Sequence, residues 1–334
     1  MSGRLSPAAA QALVCETLAR ARTSPENAAH VAEALVGAEL AGQAGHGLRR
    51  LPSYAAQAAV GKIDGFAVPA ATATRPGALS VDAAHGFAYP AMALAVERLP
   101  EMARAQGIAL AGIRRSHHAG VTGLVAERLA ETGLVALVFV NSPPAMAAWG
   151  GRRAVFGTNP IAFAAPLAEA APVVIDLSLS KVARGKVLAA QQAGEAIPED
   201  WALDADGQPT ADPAAALAGT MVPAGDAKGA ALALMVELLA AGLTGAHFAA
   251  AASSFLDAAG PPPGTGQAIL AIDPGALSAD AIARFGVLAA MVEGDGDARL
   301  PGRRRHALRA RLSEEGIPLD PALAKEIEAI GRSG

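Results

Sequence analysis

The chain has 334 residues, is 52% hydrophobic and 17% charged, and carries a formal net charge of -4. That length predicts more than one lobe and enough buried surface to fold without disulfides or a structural metal. High hydrophobicity with low net charge excludes a disordered chain, mild acidity argues against a nucleic-acid partner, and a single cysteine, Cys15, excludes an internal disulfide.

The N-terminal part reads as helices. Ser6-Pro7 and Ser24-Pro25-Glu26 each place a capping serine before a proline at the first helical position, followed by apolar residues at helical spacing. The second of these helices is expected over 25–40, stopped by Gly42, Gly45 and Gly47, and a third over 51–61. The centre changes character. Residues 109–113, 135–140, 162–165 and 173–177 are short apolar runs bounded by Gly, Pro, Asn and Ser, the pattern of buried strands. Helical stretches at 91–106 and 121–132 lie between them. A helix over 230–243, a strand over 268–272 and helices over 279–292, 303–312 and 321–330 complete the chain.

The expected class is α/β, with a helical lobe built from both chain ends (1–75 and 275–334) around a mixed αβ lobe (76–274). The apolar stretch 229–248 carries Glu237 near its middle, which predicts a buried helix and no membrane span. No leader-like N-terminal pattern is visible, so a cytoplasmic enzyme or binding protein is expected.

Familiar nucleotide and hydrolase signatures are missing: no Gly-x-Gly-x-x-Gly after a strand, no phosphate loop, no His-Glu-x-x-His and no Gly-x-Ser-x-Gly. Asp204-Ala205-Asp206-Gly207 opens like a calcium loop but lacks the closing Glu, so it reads as an Asp-Gly turn and no metal site is expected. The seven histidines are the useful inventory. His30, His247 and His306 fall in helical or basic stretches that favour packing or surface roles. His46 lies in the loop Gly45-His46-Gly47, and His117-His118 follow a strand end and precede Gly120. Loops at element ends are where rigid scaffolds place catalytic groups, so His46 and His118 are the catalytic candidates. Arg50 and Tyr54 follow His46 four residues apart, on one face if a helix starts at Leu48. A histidine that gives a proton beside a guanidinium that grips a carboxylate suits reduction of a small oxo acid. The alternative for Arg50 is a surface ion pair.

Five longer runs carry a resemblance. They are Gly157-Thr158-Asn159-Pro160-Ile161-Ala162-Phe163; Asp176-Leu177-Ser178-Leu179-Ser180 with Val182-Ala183-Arg184-Gly185-Lys186; Ile197-Pro198-Glu199-Asp200-Trp201; Pro209-Thr210-Ala211-Asp212-Pro213; and Lys228-Gly229-Ala230 continuing to Glu237. In this order they resemble the malate/L-lactate dehydrogenase family, which includes sulfolactate dehydrogenases and cyclic ketimine reductases. The resemblance implies an oxidoreductase using NAD or NADP on a fold that is not a Rossmann fold, a homodimer, and a small carboxylate substrate held between the two lobes. It implies that His118 or His46 is the acid/base group and that Arg50 and Tyr54 contact substrate. Ser142, Asp176, Leu177, Ser178 and Lys228 are implied as cofactor contacts.

Two departures stand out. Ala44-Gly45 replaces the family's Asp-Ser before the histidine loop, which removes groups that could orient His46 and shifts the expectation toward His118. Arg303, where the family usually has Glu, begins a run with Arg304 and Arg305 that reads as a solvated helix start or as a 2′-phosphate contact favouring NADPH. A 2-oxo acid (of malate, lactate or sulfolactate type) is the expected substrate. The alternatives are a cyclic ketimine such as piperideine-2-carboxylate, or a lapsed paralogue that binds metabolites without turning them over.

Overall fold

The computed structural model describes residues 3–331. Strand β1 (Gly3–Leu5) leads into α1 (Pro7–Ala19) and α2 (Pro25–Leu40). Both helices start as the sequence predicts: Ser6 Oγ accepts from the Ala9 amide and Ser24 Oγ from the Asn27 amide, each at 3.2 Å. Past α2 the chain makes two single 3-10 turns, Ala44–His46 and Leu48–Arg50, before α3 (Leu51–Ala59).

The centre follows as β2 (Ala70–Arg75), β3 (Ala78–Asp82), α4 (Ala88–Gln106), β4 (Ile108–Ser116), α5 (Thr122–Glu131), β5 (Val135–Val140), β6 (Met146–Ala147), β7 (Ala154–Phe156), β8 (Ile161–Ala165) and β9 (Val173–Leu177). Next come α6 (Arg184–Ala193), β10 (Ala202–Leu203), α7 (Pro213–Ala218), β11 (Thr220–Met221), α8 (Ala227–Glu237), β12 (Thr265–Ile272), α9 (Ala281–Glu293), α10 (Arg303–Glu315), β13 (Ile317–Leu319) and α11 (Pro321–Ala329).

Seven strands form one sheet in the order β2-β3-β4-β12-β5-β8-β9. Within it β3 and β4 run parallel and every other neighbouring pair is antiparallel. That mixed, mainly antiparallel sheet is not the doubly wound parallel sheet of a Rossmann fold, so the absent glycine fingerprint has a structural reason. Strand β12 sits centrally between β4 and β5, with Ala268, Ile269 and Ala271 buried. Helices α4 and α5 pack on the sheet, while a small sheet β10-β11-β6-β7 and α8 enclose a second core around Met146, Val187, Val236 and Met221.

The two chain ends meet. β1 pairs antiparallel with β13, setting Gly3 opposite Leu319, and α10 and α11 pack on α2 and α3. Residues 70–75, placed with the N-terminal helices by the sequence reading, are the edge strand of the large sheet. The single helix expected over 230–243 is α8 followed by a wider π turn, Leu238–Gly242, directly after buried Glu237. Asp204 closes a turn by accepting from the Asp206 and Gln208 amides, with Gly207 at φ 83°.

Candidate active site

The turn carrying His46 meets the segment between β4 and α5 that carries His118. His46 Nδ1 lies 3.0 Å from His118 Nε2, and the rings are nearly parallel, 9° apart. The other nitrogen of His118, Nδ1, is 2.5 Å from the Tyr54 hydroxyl, which is 2.8 Å from the Tyr89 hydroxyl. Four groups from α3, α4 and two loops thus form one unbroken chain. Tyr54 is completely buried and His118 only 9% exposed, so of the two histidines His46 stands nearer solvent.

Burial sets the protonation of this chain. It lowers His46 to about 4, helped by the Arg50 charge and opposed by Asp176. His118 is held well below its ordinary value by burial, then by Arg50, His46 and His117. Burial pushes Tyr54 up to about 12. Both imidazoles and the Tyr54 phenol are therefore neutral at pH near 7.

A second set of contacts fixes the histidine segment from behind. His117 Nε2 donates to Gln57 Oε1 at 2.9 Å, and Gln57 Nε2 donates to the Phe255 carbonyl at 2.9 Å. The Phe255 ring packs on both His117 and His118, with centroids 4.9 and 5.4 Å apart. Buried Lys62 anchors the same loop by donating to the carbonyls of Ser254, Asp257 and Ala259 at 2.8, 3.0 and 2.6 Å. His117 thus serves packing, with burial and the Lys62 charge lowering it to about 3.

Arg50 is held by its Nε, which donates to the Gly45 carbonyl at 2.8 Å, and its guanidinium forms no ion pair among the described residues. Its neighbour Arg49 pairs with Asp320 instead. Tyr54, expected at a substrate contact, is fully buried with its hydroxyl 2.5 Å from His118 Nδ1.

The remaining sequence candidates fall into two places. Asp176, at the end of β9, accepts from Thr122 Oγ1 at 2.9 Å and the Gly123 amide at 3.0 Å, capping α5 just past the His118 segment. Arg305 of α10 pairs with its Oδ2 at 3.2 Å. Ser142, Ser178 and Lys228 belong to a different cluster. Ser142 Oγ accepts from the Thr158 amide at 3.1 Å; Ser178 Oγ is 2.8 Å from Ser180 Oγ; the Leu179 amide bonds to the Thr158 carbonyl, and the Ala224 amide to the Leu179 carbonyl. The chain from Ala224 continues to Lys228 in the first turn of α8. Gly157 must be glycine here, since a Cβ would collide with Ser142 Oγ and stand 2.7 Å from Asn159 Oδ1. Exposed Leu177 links the two places along β9. Hydroxyls, backbone amides and an ammonium at a helix start are the donors that ribose and phosphate groups require, so this surface fits a dinucleotide's chemistry.

Beneath that surface lies a residue the sequence reading treated only as a charge in an apolar helix. Buried Glu237 accepts from Asn159 Nδ2 at 2.9 Å, Asn141 Nδ2 at 3.3 Å and the Ala249 amide at 3.0 Å, tying together the residues next to Ser142 and Thr158. Tyr89, Gln57, Lys62 and Phe255 also escaped the sequence reading, since each lies far along the chain from its partner and in no motif. The arginine run does not form one patch: Arg303 pairs bidentately with Glu293 at 2.6 and 2.9 Å, while Arg305 turns to Asp176.

Fold and site together define a mixed-sheet protein that holds a buried chain of hydrogen-bonded histidines and tyrosines and a separate cluster of hydroxyls and backbone amides. A profile of the malate/L-lactate dehydrogenase family matches residues 5–328. The chain is 52% identical over 330 residues to a (2R)-3-sulfolactate dehydrogenase (NADP(+)) of Chromohalobacter salexigens, covering 98% of each chain. It is 46% identical over 278 residues, 81% of this chain and 80% of that one, to a Delta(1)-pyrroline-2-carboxylate/Delta(1)-piperideine-2-carboxylate reductase of Pseudomonas putida. The crystal structure of a delta1-piperideine-2-carboxylate reductase from Pseudomonas syringae superposes with a TM-score of 0.93 at 39% identity, covering 98% of this chain and 100% of that one. The chain belongs to the malate/L-lactate dehydrogenase family. It is an oxidoreductase that uses NAD or NADP. No helix among the described residues is long and apolar enough to cross a membrane.

Proposed function

We propose that this enzyme reduces a small 2-oxo acid of the sulfopyruvate or oxaloacetate type to the 2-hydroxy acid, reversibly, with NADPH or NADH. The carrying observation is the chain from His46 to Tyr89 with an unpaired guanidinium, Arg50, at its open end. The identity to a sulfolactate dehydrogenase over almost the full length supports this substrate class.

The nicotinamide supplies the hydride. Arg50 holds the carboxylate with its two terminal nitrogens, a bidentate geometry that fixes the neighbouring carbon. His46 Nε2 donates the proton that neutralises the developing alkoxide, and takes it back in the oxidative direction. His118 fixes the orientation of His46 through its Nε2. Ser142, Ser178 and Lys228 hold the cofactor's ribose and phosphate groups, and Leu177 offers an apolar wall. Asp176 sets the position of the His118 segment through α5. Withdrawal of water around the histidines keeps both imidazoles neutral until substrate arrives.

A second reading has one specific support, the reductases acting on cyclic imines at 46% and 39% identity. A cyclic ketimine carries the same carboxylate beside an sp² carbon and would use the same residues. Steady-state rates with 3-sulfopyruvate, oxaloacetate and piperideine-2-carboxylate, each with NADPH and NADH, decide between them. The proposal expects kcat/KM for an oxo acid to exceed that for the imine by at least roughly a hundredfold, the low end of the discrimination enzyme pockets achieve between related substrates. The reverse order would reassign the substrate.

A homodimer is also proposed. Its support is a set of exposed leucines on α8 and the turn after it, Leu234 and Leu238 one helical turn apart and Leu232 nearby, side chains a partner subunit would cover.

A further inference from the structure

A neutral imidazole that surrenders a proton becomes an anion unless its second nitrogen is refilled in the same event. His46 meets that condition through His118, but His118 in turn has only one proton to share. Its remaining nitrogen points at a phenol, and that phenol at another, with spacings of 3.0, 2.5 and 2.8 Å along the whole chain. The far end is not a dead end. Tyr89 lines a cavity of about 270 Å³ on the other side of the histidine segment, together with Ala119 and Val121. The cavity reaches Glu33 and Glu131, both exposed. A single water needs only about 10–15 Å³ of such space. Gly120 lets the histidine segment pass close to the Tyr89 hydroxyl, because a Cβ there would stand 2.9 Å from it.

We infer that Tyr54 and Tyr89 form a proton relay that refills His46 from this rear cavity, so that proton uptake bypasses the mouth filled by substrate and cofactor. The inference rests on the reaction proposed above. Its balance closes. His46 Nε2 gives its proton to the substrate oxygen as the hydride reaches carbon. His46 Nδ1 takes the proton of His118 Nε2, and His118 Nδ1 takes that of Tyr54. Tyr54 oxygen takes the proton of Tyr89, and Tyr89 takes one from solvent in the cavity. All four side chains end neutral, and one solvent proton is consumed per hydride. Concerted movement is required, since burial pushes Tyr54 up to about 12 and makes a free phenolate at that position costly. Tyr54 and Tyr89 are relay residues and do not touch the reacting atoms.

Tyr89→Phe keeps the ring and removes the relay's entry. It is expected to lower kcat by roughly tenfold to a hundredfold, the scale of a lost proton transfer. NADPH affinity, read by fluorescence titration, should stay unchanged. The solvent deuterium effect on single-turnover reduction should rise while the effect of deuterated NADPH shrinks. Wild-type kcat with both isotope effects unaltered would overturn the relay while leaving the reaction in place. A proton inventory on the unmodified enzyme needs no variant: a curved dependence of the single-turnover rate on D2O fraction is expected, and a linear one, signalling one moving proton, overturns the relay. A wild-type enzyme that binds NADPH but reduces neither oxo acid nor ketimine would overturn the relay and the reaction together.

Discussion

In the proposed reaction His46 and His118 divide a task that their positions in the sequence left undivided. The loss of the Asp-Ser pair at Ala44-Gly45 turned the sequence expectation toward His118; in the structure His118 is the more buried of the two and contacts His46 Nδ1 through its Nε2, which is why the proposal gives the proton to His46. The orienting group for His46 is supplied by another loop, a contact across 72 positions that no local motif could display. Replacing His118 with Ala should slow turnover by roughly a hundredfold with cofactor binding intact; unchanged kcat would remove it from the chain. Arg50→Lys should raise KM for the oxo acid by about tenfold with little change in cofactor affinity, because an ammonium cannot match the two-point grip. An unchanged KM would mean that the carboxylate is held elsewhere.

Helices with serine-proline starts and the buried strands around β5 were legible because caps and apolar runs are local signals. Strands β6, β7, β10 and β11 have two or three residues each, too short for any period to show. β12 was read as shorter than it is because Thr265 and Gln267, both fully buried, interrupt its apolar pattern. The family motifs gain reasons at this scale: Asn159 and Glu237 lie in different runs and meet in one hydrogen bond under the polar surface. Helix α5 carries a similar dependence. A Cβ on Gly123 would stand 2.5 Å from Arg305 Nη1 and 2.8 Å from Asp176 Oδ2. Gly123→Ala should therefore cost about 1–3 kcal/mol of stability and reduce kcat through the displaced His118 segment. Denaturant midpoints and rates for that variant check the claim, and wild-type values for both would show that α5 does not position the site.

The molecule as a whole stores four histidines whose folded values lie below the ordinary one: His46 at about 4, His117 at about 3, His118 well below, and His85, lowered by partial burial. The unfolded chain binds those protons at about pH 6.5 and the native protein does not. Stability from these groups is therefore intact above that pH and falls as acid is added, by up to about 1.4 kcal/mol per pH unit for each of His46, His117 and His118. For His46 the loss ends near its folded value, about 4. Urea midpoints should drop between about pH 7 and about pH 5, and a midpoint that rises on acidification would contradict the burial of these groups.

The helices at both chain ends and the αβ centre between them were readable, but the β1–β13 pairing that joins the ends spans almost the whole chain and leaves no local trace. The central claim is that hydride delivery at the cofactor surface is matched by a proton from His46. Single-turnover reduction of 3-sulfopyruvate and of piperideine-2-carboxylate by 4-deuterated NADPH, followed in the wild type and in His46→Ala, tests it most directly. The account predicts deuterium at the carbon beside the carboxylate of the wild-type product, and a rate in His46→Ala lower by roughly a hundredfold at unchanged NADPH affinity. Deuterium appearing there at the wild-type rate in His46→Ala would contradict it.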